Sequence, residues 1–122
     1  MLNLDTHILV FLLSGDLSDR ELRLVQGEHL VVSDIVLWEL AKMIQLGRLD
    51  MDLEAPEFRQ CLRSLTIVPI NLEIARRSTQ LDFSSDPADE IIAATSIVED
   101  IPLLTRDRRI LKSRIVPFPA KN

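Results

Sequence analysis

Apolar positions along the chain recur with two different periods, and the switches between them divide it into alternating strands and helices. "LNLD" reads as a short strand, "THILVFLLSG" as a helix closed by Gly15, and "LSDRELRLVQG" as a helix capped by Ser18 and stopped by Gly27. "HLVVS" gives a second strand. "DIVLWELAKMIQLGRL", capped by Ser33, is the longest predicted helix, and "APEFRQCLRSL" follows with Pro56 in its first turn. Further on, "TIVPI" is a strand, "NLEIARRSTQL" a helix, "SSDPADEIIAATS" another helix, "IPLLT" a strand and "RDRRILK" a short helix. "RIVPF" is expected as a last strand, with Pro117 suited to an edge. Such alternation predicts an α/β fold around a mostly parallel central sheet of four to five strands.

A length of 122 residues fits one domain, expected to span residues 1–122. Apolar residues make up 47% and charged residues 27%, the balance of a globular chain. The single cysteine, Cys61, excludes an intrachain disulfide and reads as a core or boundary thiol. No apolar run approaches the roughly 20 residues of a membrane span, so a soluble, cytoplasmic protein with no membrane contact is expected. The net charge of −5 argues against binding nucleic acid by overall basicity, which leaves local patches such as Arg106, Arg108, Arg109, Lys112 and Arg114. No glycine-rich phosphate loop is present, so a dinucleotide or nucleoside-triphosphate site is not expected.

In open α/β sheets ligands gather outside the carboxyl ends of the strands, and here those ends carry acids. Asp5 ends the first strand, Asp34 follows the second and Asp107 lies just past the fourth. Each also has a plain explanation as a helix cap or first-turn residue, and for Asp34 that explanation is preferred. Glu39 is different, because at about 100° per residue its neighbours on the helix surface are Ile35, Val36, Met43 and Leu46. A carboxylate in an apolar face needs a partner: an arginine, a jointly held cation, or Lys42 curling over it at an edge. Asp86, Pro87 and Asp89 read as cap, first and third positions of a helix, which aims both carboxylates off its N-terminus. Acids gathered at one edge repel unless a cation neutralises them, and an oxygen-only donor set suits Mg²⁺ or Mn²⁺. His7 and His29 have no zinc-like spacing. Metal-dependent hydrolysis of a phosphodiester is the chemistry that this constellation fits.

The ordered segments "LDTHILVFLL", "VVSDIVLWELAKMIQLGRL", "SSDPADEIIAATSIVED" and "IPLLTRD" resemble the PIN-domain family, and among its members the VapC-type toxins, over roughly residues 1–118. The resemblance implies a PIN-like α/β/α sandwich and a Mg²⁺- or Mn²⁺-dependent ribonuclease. It also implies RNA as substrate, a homodimer, and inhibition by a cognate VapB-type antitoxin. Carried over by position, it makes Asp5, Glu39, Asp89 and Asp107 catalytic metal ligands, with Asp86 first a cap and second a ligand. Thr6 and Thr105 match the hydroxyls that flank the acids, and with Arg106 and Arg108 they are the expected substrate contacts. Ser85 and Glu90 depart from the family pattern, which often has histidine and arginine there. Glu90 is expected to bring negative charge to the site, leaving RNA contact to Arg106, Arg108 and Arg109. The alternative is a PIN fold kept as a protein-binding module with little or no nuclease activity, its acids engaged by a partner's arginine.

Overall fold

The computed structural model describes residues 1–120 of the chain. In order it contains β1 (Leu2–Leu4), α1 (Thr6–Ser14), α2 (Asp19–Val25), β2 (Leu30–Ser33), α3 (Ile35–Gln45) and α4 (Pro56–Ser64). It continues with β3 (Thr66–Val68), α5 (Leu72–Arg77), α6 (Pro87–Glu99), β4 (Leu103–Leu104) and α7 (Arg108–Leu111). The strands form one four-stranded sheet in the order β3-β2-β1-β4, every pair parallel, flanked by helices. Parallel neighbours need crossover helices that cover the faces, which is why the central strand β1 is buried along its whole length. Leu2 and Leu4 on one side of β1 join Ile8, Leu9, Val32, Val36, Leu40, Ile92 and Leu103 in the core.

Asn3 points to the other side, where its Nδ2 donates to Ser96 Oγ at 2.8 Å and to the Ile92 carbonyl at 3.3 Å. A fully buried amide thus ties the central strand to α6, the helix that carries the candidate acid Asp89 and starts just after Asp86. Replacing Ser96 by Ala is expected to lower the unfolding free energy by about 1–3 kcal/mol in urea denaturation, because the amide is left with one long bond. An unchanged midpoint would mean that this link does not hold α6 to the sheet.

Local signals decide most boundaries. Ser18 and Glu21 form a reciprocal capping box on α2. Gly15, at φ +77°, lets its N–H turn back onto the Phe11 carbonyl and ends α1. Three expectations are corrected. α3 is not the longest helix, since it has 11 residues and α6 has 13. Gly47 at φ +71° stops α3 early: Arg48 N–H returns to the Met43 carbonyl at 2.8 Å and Gly47 N–H to that of Ile44 at 3.1 Å. Neither Ser33 nor Asp34 caps α3 as expected. Asp34 occupies the cap position with a helical backbone, so its carboxylate turns away and accepts the Ile70 N–H at 3.2 Å, while Ser33 Oγ reaches only Ile35 N–H at 3.3 Å.

The expected fifth strand, "RIVPF", is irregular chain. It runs beside β4 with one ladder-like bond, from Leu103 N–H to the Pro117 carbonyl at 2.9 Å. Pro117 has no N–H to return, and the N–H groups of Ile115 and Val116 are taken by Ser113 Oγ. No helix among the described residues is long and apolar enough to cross a membrane.

Candidate active site

β1 and β4 are paired with Leu4 opposite Leu104, so the residues that leave them, Asp5 and Thr105, emerge side by side. Asp5 starts α1, and its Oδ1 accepts the Ile8 N–H at 2.9 Å. Its Oδ2 accepts a short hydrogen bond from the Thr105 hydroxyl. Thr105 Oγ1 also accepts the Asp107 N–H at 3.0 Å, so one buried hydroxyl couples two acids. Asp107 in turn starts α7, its Oδ1 receiving the N–H groups of Arg109 and Ile110 at 2.8 and 3.3 Å. Cap and candidate ligand are therefore the same residue at both positions.

At α6 the roles differ from those expected. Asp86 holds the cap position, but its side chain makes no capping bond, so the carboxylate read first as a cap is not used as one. Pro87 occupies the first turn and has no N–H to satisfy, and the helix start is closed instead through backbone, Glu90 N–H to the Asp86 carbonyl at 3.1 Å. Asp89 is half-buried, and its Oδ2 accepts Ser85 Oγ–H at 2.9 Å. Glu39 is half-buried on α3. Its partner is neither arginine nor lysine: the Thr6 hydroxyl donates to its Oε1, while Lys42 Nζ bonds Gln45 Oε1.

Asp5, Asp86, Asp89, Asp107 and Arg106 line one open cleft, together with His7 and Phe11. Burial pushes the Asp5 carboxyl above its ordinary range, opposed by the bonds from Thr105 and Ile8, with Asp89 adding to the rise. Burial likewise raises Asp89; the Ser85 hydroxyl opposes it, and the charges of Glu39, Asp107 and Asp86 reinforce it. Asp89 is thus the acid that the charges of the others meet. Among the described residues, no three His, Cys, Asp or Glu side chains stand close enough to grip one ion as placed. The four aspartates that line the cleft still fit a hard cation, with the Asp86 carboxylate making no capping bond.

Thr6 and Thr105, expected as substrate contacts, are instead buried and spend their hydroxyls on Glu39 and Asp5. Thr105→Val is expected to weaken Mn²⁺ binding about tenfold or more in calorimetric titration, because Asp5 and the Asp107 N–H lose their common partner. An unchanged affinity would remove Thr105 from the site. Arg108 is exposed on α7 and lines no part of the cleft. Arg106 does line it, held by Glu21 on α2. That ion pair holds the Glu21 carboxyl down at about 2, against the cost of burial.

A family model described as PIN domain matches residues 3–115. The chain is a PIN domain. No curated protein matches it in sequence. Among solved structures it is similar to a chain of a toxin–antitoxin complex from Klebsiella pneumoniae, at 22% identity and a TM-score of 0.74, covering 98% of this chain and 97% of that one. It is also similar to a chain of VapBC2 from Rickettsia felis bound to a promoter DNA fragment (18%, 0.69, all of both chains). A third is FitAcB from Neisseria gonorrhoeae (19%, 0.69, 98% and 97%). At these identities the likeness concerns the fold.

Two positions where this PIN domain departs from the expected pattern acquire local roles. Ser85 donates to Asp89, and Glu90 accepts the Ser85 N–H at 3.4 Å. Glu90 lines a separate hollow with Leu81, Phe83 and Pro87, so its charge faces the loop before α6 and not the acid cleft. Sequence reasoning missed Glu21 and Phe11. The S-x-x-E spacing of Ser18 and Glu21 marks a capping box, but nothing local marks the bond from Glu21 to a residue 85 positions away.

Proposed function

We propose that this PIN domain is a Mg²⁺- or Mn²⁺-dependent endoribonuclease of VapC type, the toxin of a cytoplasmic toxin–antitoxin pair. The observation that carries the reading is the convergence of Asp5, Asp86, Asp89 and Asp107 on one cleft, with Glu39 close enough to raise Asp89. That the similar solved structures are toxin–antitoxin complexes supports a VapB-type antitoxin as partner. A homodimer is part of the reading, and Trp38, 55% exposed on α3, offers apolar surface for an interface.

In this reading Asp5, Glu39, Asp86, Asp89 and Asp107 hold the ion, and Arg106 receives the RNA phosphate. When bound there, the ion supplies neutralisation of the clustered carboxylates and a more acidic water for attack on phosphorus. Thr105 keeps Asp5 oriented and its charge stabilised, and Thr6 does the same for Glu39. Ser85 fixes the Asp89 rotamer. Arg108 and Arg109, both exposed on α7, give further positive charge for the phosphate backbone.

The separation of the acids also favours a second reading, a protein-binding module whose cleft takes a partner's arginine. Cleavage of a mixed RNA pool by the purified chain in Mg²⁺ or Mn²⁺, abolished by a chelator and by Asp5→Asn, supports the nuclease. Intact RNA under all of these conditions leaves the binding module.

A further inference from the structure

Glu21 is a buried carboxylate that the acid chemistry of the cleft does not use. Its side chain is 9% exposed, and it takes the Arg106 guanidinium as a fork, Nε to Oε2 at 2.8 Å and Nη2 to Oε1 at 2.7 Å. Arg106 Nη2 also donates to the Asp16 carbonyl at 3.1 Å. The guanidinium carbon lies 4.0 Å over the Phe11 ring. One edge of the group, one face and a second hydrogen of Nη2 are therefore committed. Nη1 is the nitrogen with no bond to the described residues, on a side chain that is 43% exposed and lines the acid cleft.

A forked arginine–carboxylate pair fixes direction as well as distance, and stacking on an aromatic ring fixes the plane. An arginine that shares a cleft with Asp5, Asp86, Asp89 and Asp107 would otherwise be drawn onto them. We infer that Glu21 is a positioning residue: with Phe11 and the Asp16 carbonyl it keeps Arg106 off the acids and presents Nη1 to a phosphate oxygen of an RNA strand lying across the cleft. The inference rests on the nuclease reading. Glu21 touches no reacting atom and acts through Arg106. Its place on α2, outside the strand-end motifs, makes the clamp a link between the helix start and the rim of the site.

The test uses a fluorescein-labelled single-stranded RNA of mixed sequence with Mg²⁺. Binding is read by anisotropy in the Asp5→Asn background, and KM and kcat are read in the otherwise unsubstituted chain. Glu21→Gln keeps an oxygen for the Ser18 N–H but turns an amide NH₂ toward the guanidinium, so the fork is lost while the capping box can persist. Affinity is expected to fall about tenfold and KM to rise by the same factor with kcat little changed. Arg106→Gln should match it, and the double variant should be no worse than either, because the two residues act as one unit. Ser18→Ala, which removes the bond to the Glu21 N–H without touching the fork, should keep wild-type affinity. Unchanged binding in Glu21→Gln overturns the inference. Tighter binding also overturns it, since Glu21 would then mask the guanidinium. An equal loss in Ser18→Ala overturns it as well, by tracing the effect to α2. Failure of the nuclease reading is seen separately, as absence of cleavage by the unsubstituted chain.

Discussion

Asp5→Asn is expected to reduce Mg²⁺-dependent RNA cleavage by about a thousandfold or more, equivalent to ~4 kcal/mol of lost transition-state stabilisation. Asp5 is the acid most deeply set in the cleft, positioned by a backbone N–H and a hydroxyl, so a neutral amide there removes charge with little change of shape. The same variant should unfold at an equal or higher temperature without metal, because a carboxylate disfavoured by burial has been removed. The pH dependence has a definite sign. Asp5 and Asp89 titrate above the ordinary 3.8 when folded, so the stability linked to their protonation is fully present below about 3.8 and is lost as pH rises through their raised values. Glu21 works in the opposite direction: its contribution is present above the ordinary 4.5 and disappears as pH falls toward about 2. In a chelator, melting temperature should therefore rise as pH is lowered from neutrality toward about 4.5, and Asp5→Asn should flatten that rise. Cleavage by Asp5→Asn within tenfold of wild type would remove Asp5 from the chemistry.

Saturating Mn²⁺ should raise the melting temperature by about 10 °C, since an ion at a hundred times its dissociation constant adds about 2.7 kcal/mol to a domain of this size. The reason is electrostatic: the neighbouring acids raise the cost of ionising Asp89, and Asp89 that of ionising Asp5, and a cation turns that repulsion into attraction. Asp89→Asn is expected to remove most of the shift, because Asp89 feels Glu39, Asp86, Asp107 and Asp5 together. Glu39→Gln should abolish the shift and cleavage while keeping metal-free stability, as an amide oxygen can still accept the Thr6 hydroxyl. A melting temperature that ignores millimolar Mn²⁺ would defeat the metal site whatever the cleavage assay reads.

The alternation of strand and helix, the stops at Gly15 and Gly27, the Ser18 cap and the acids after the strands were all readable from the sequence. Each depends on hydrogen bonds or side-chain periodicity within a few positions, and spacing encodes such contacts directly. Where a local signal had a nearby competitor, the reading failed: Ser113 took the N–H groups that a last strand needed, and Gly47 closed α3 ahead of its apolar pattern. The Asp86 cap failed for a related reason, since Pro87 and the Asp86 carbonyl finish the helix start without the carboxylate.

What spacing could not express is which distant groups meet. The bonds from Thr105 to Asp5, Thr6 to Glu39 and Arg106 to Glu21 span 100, 33 and 85 residues. They follow from the strand order β3-β2-β1-β4, which sets the first and last strands side by side and brings both their acids to one edge. By itself the sequence determined which residues could ionise and which ends of the elements would carry them. Only the tertiary structure decided which carboxylates share a field, which hydroxyls hold them and which arginine is clamped, because those energies depend on distance through space and not along the chain.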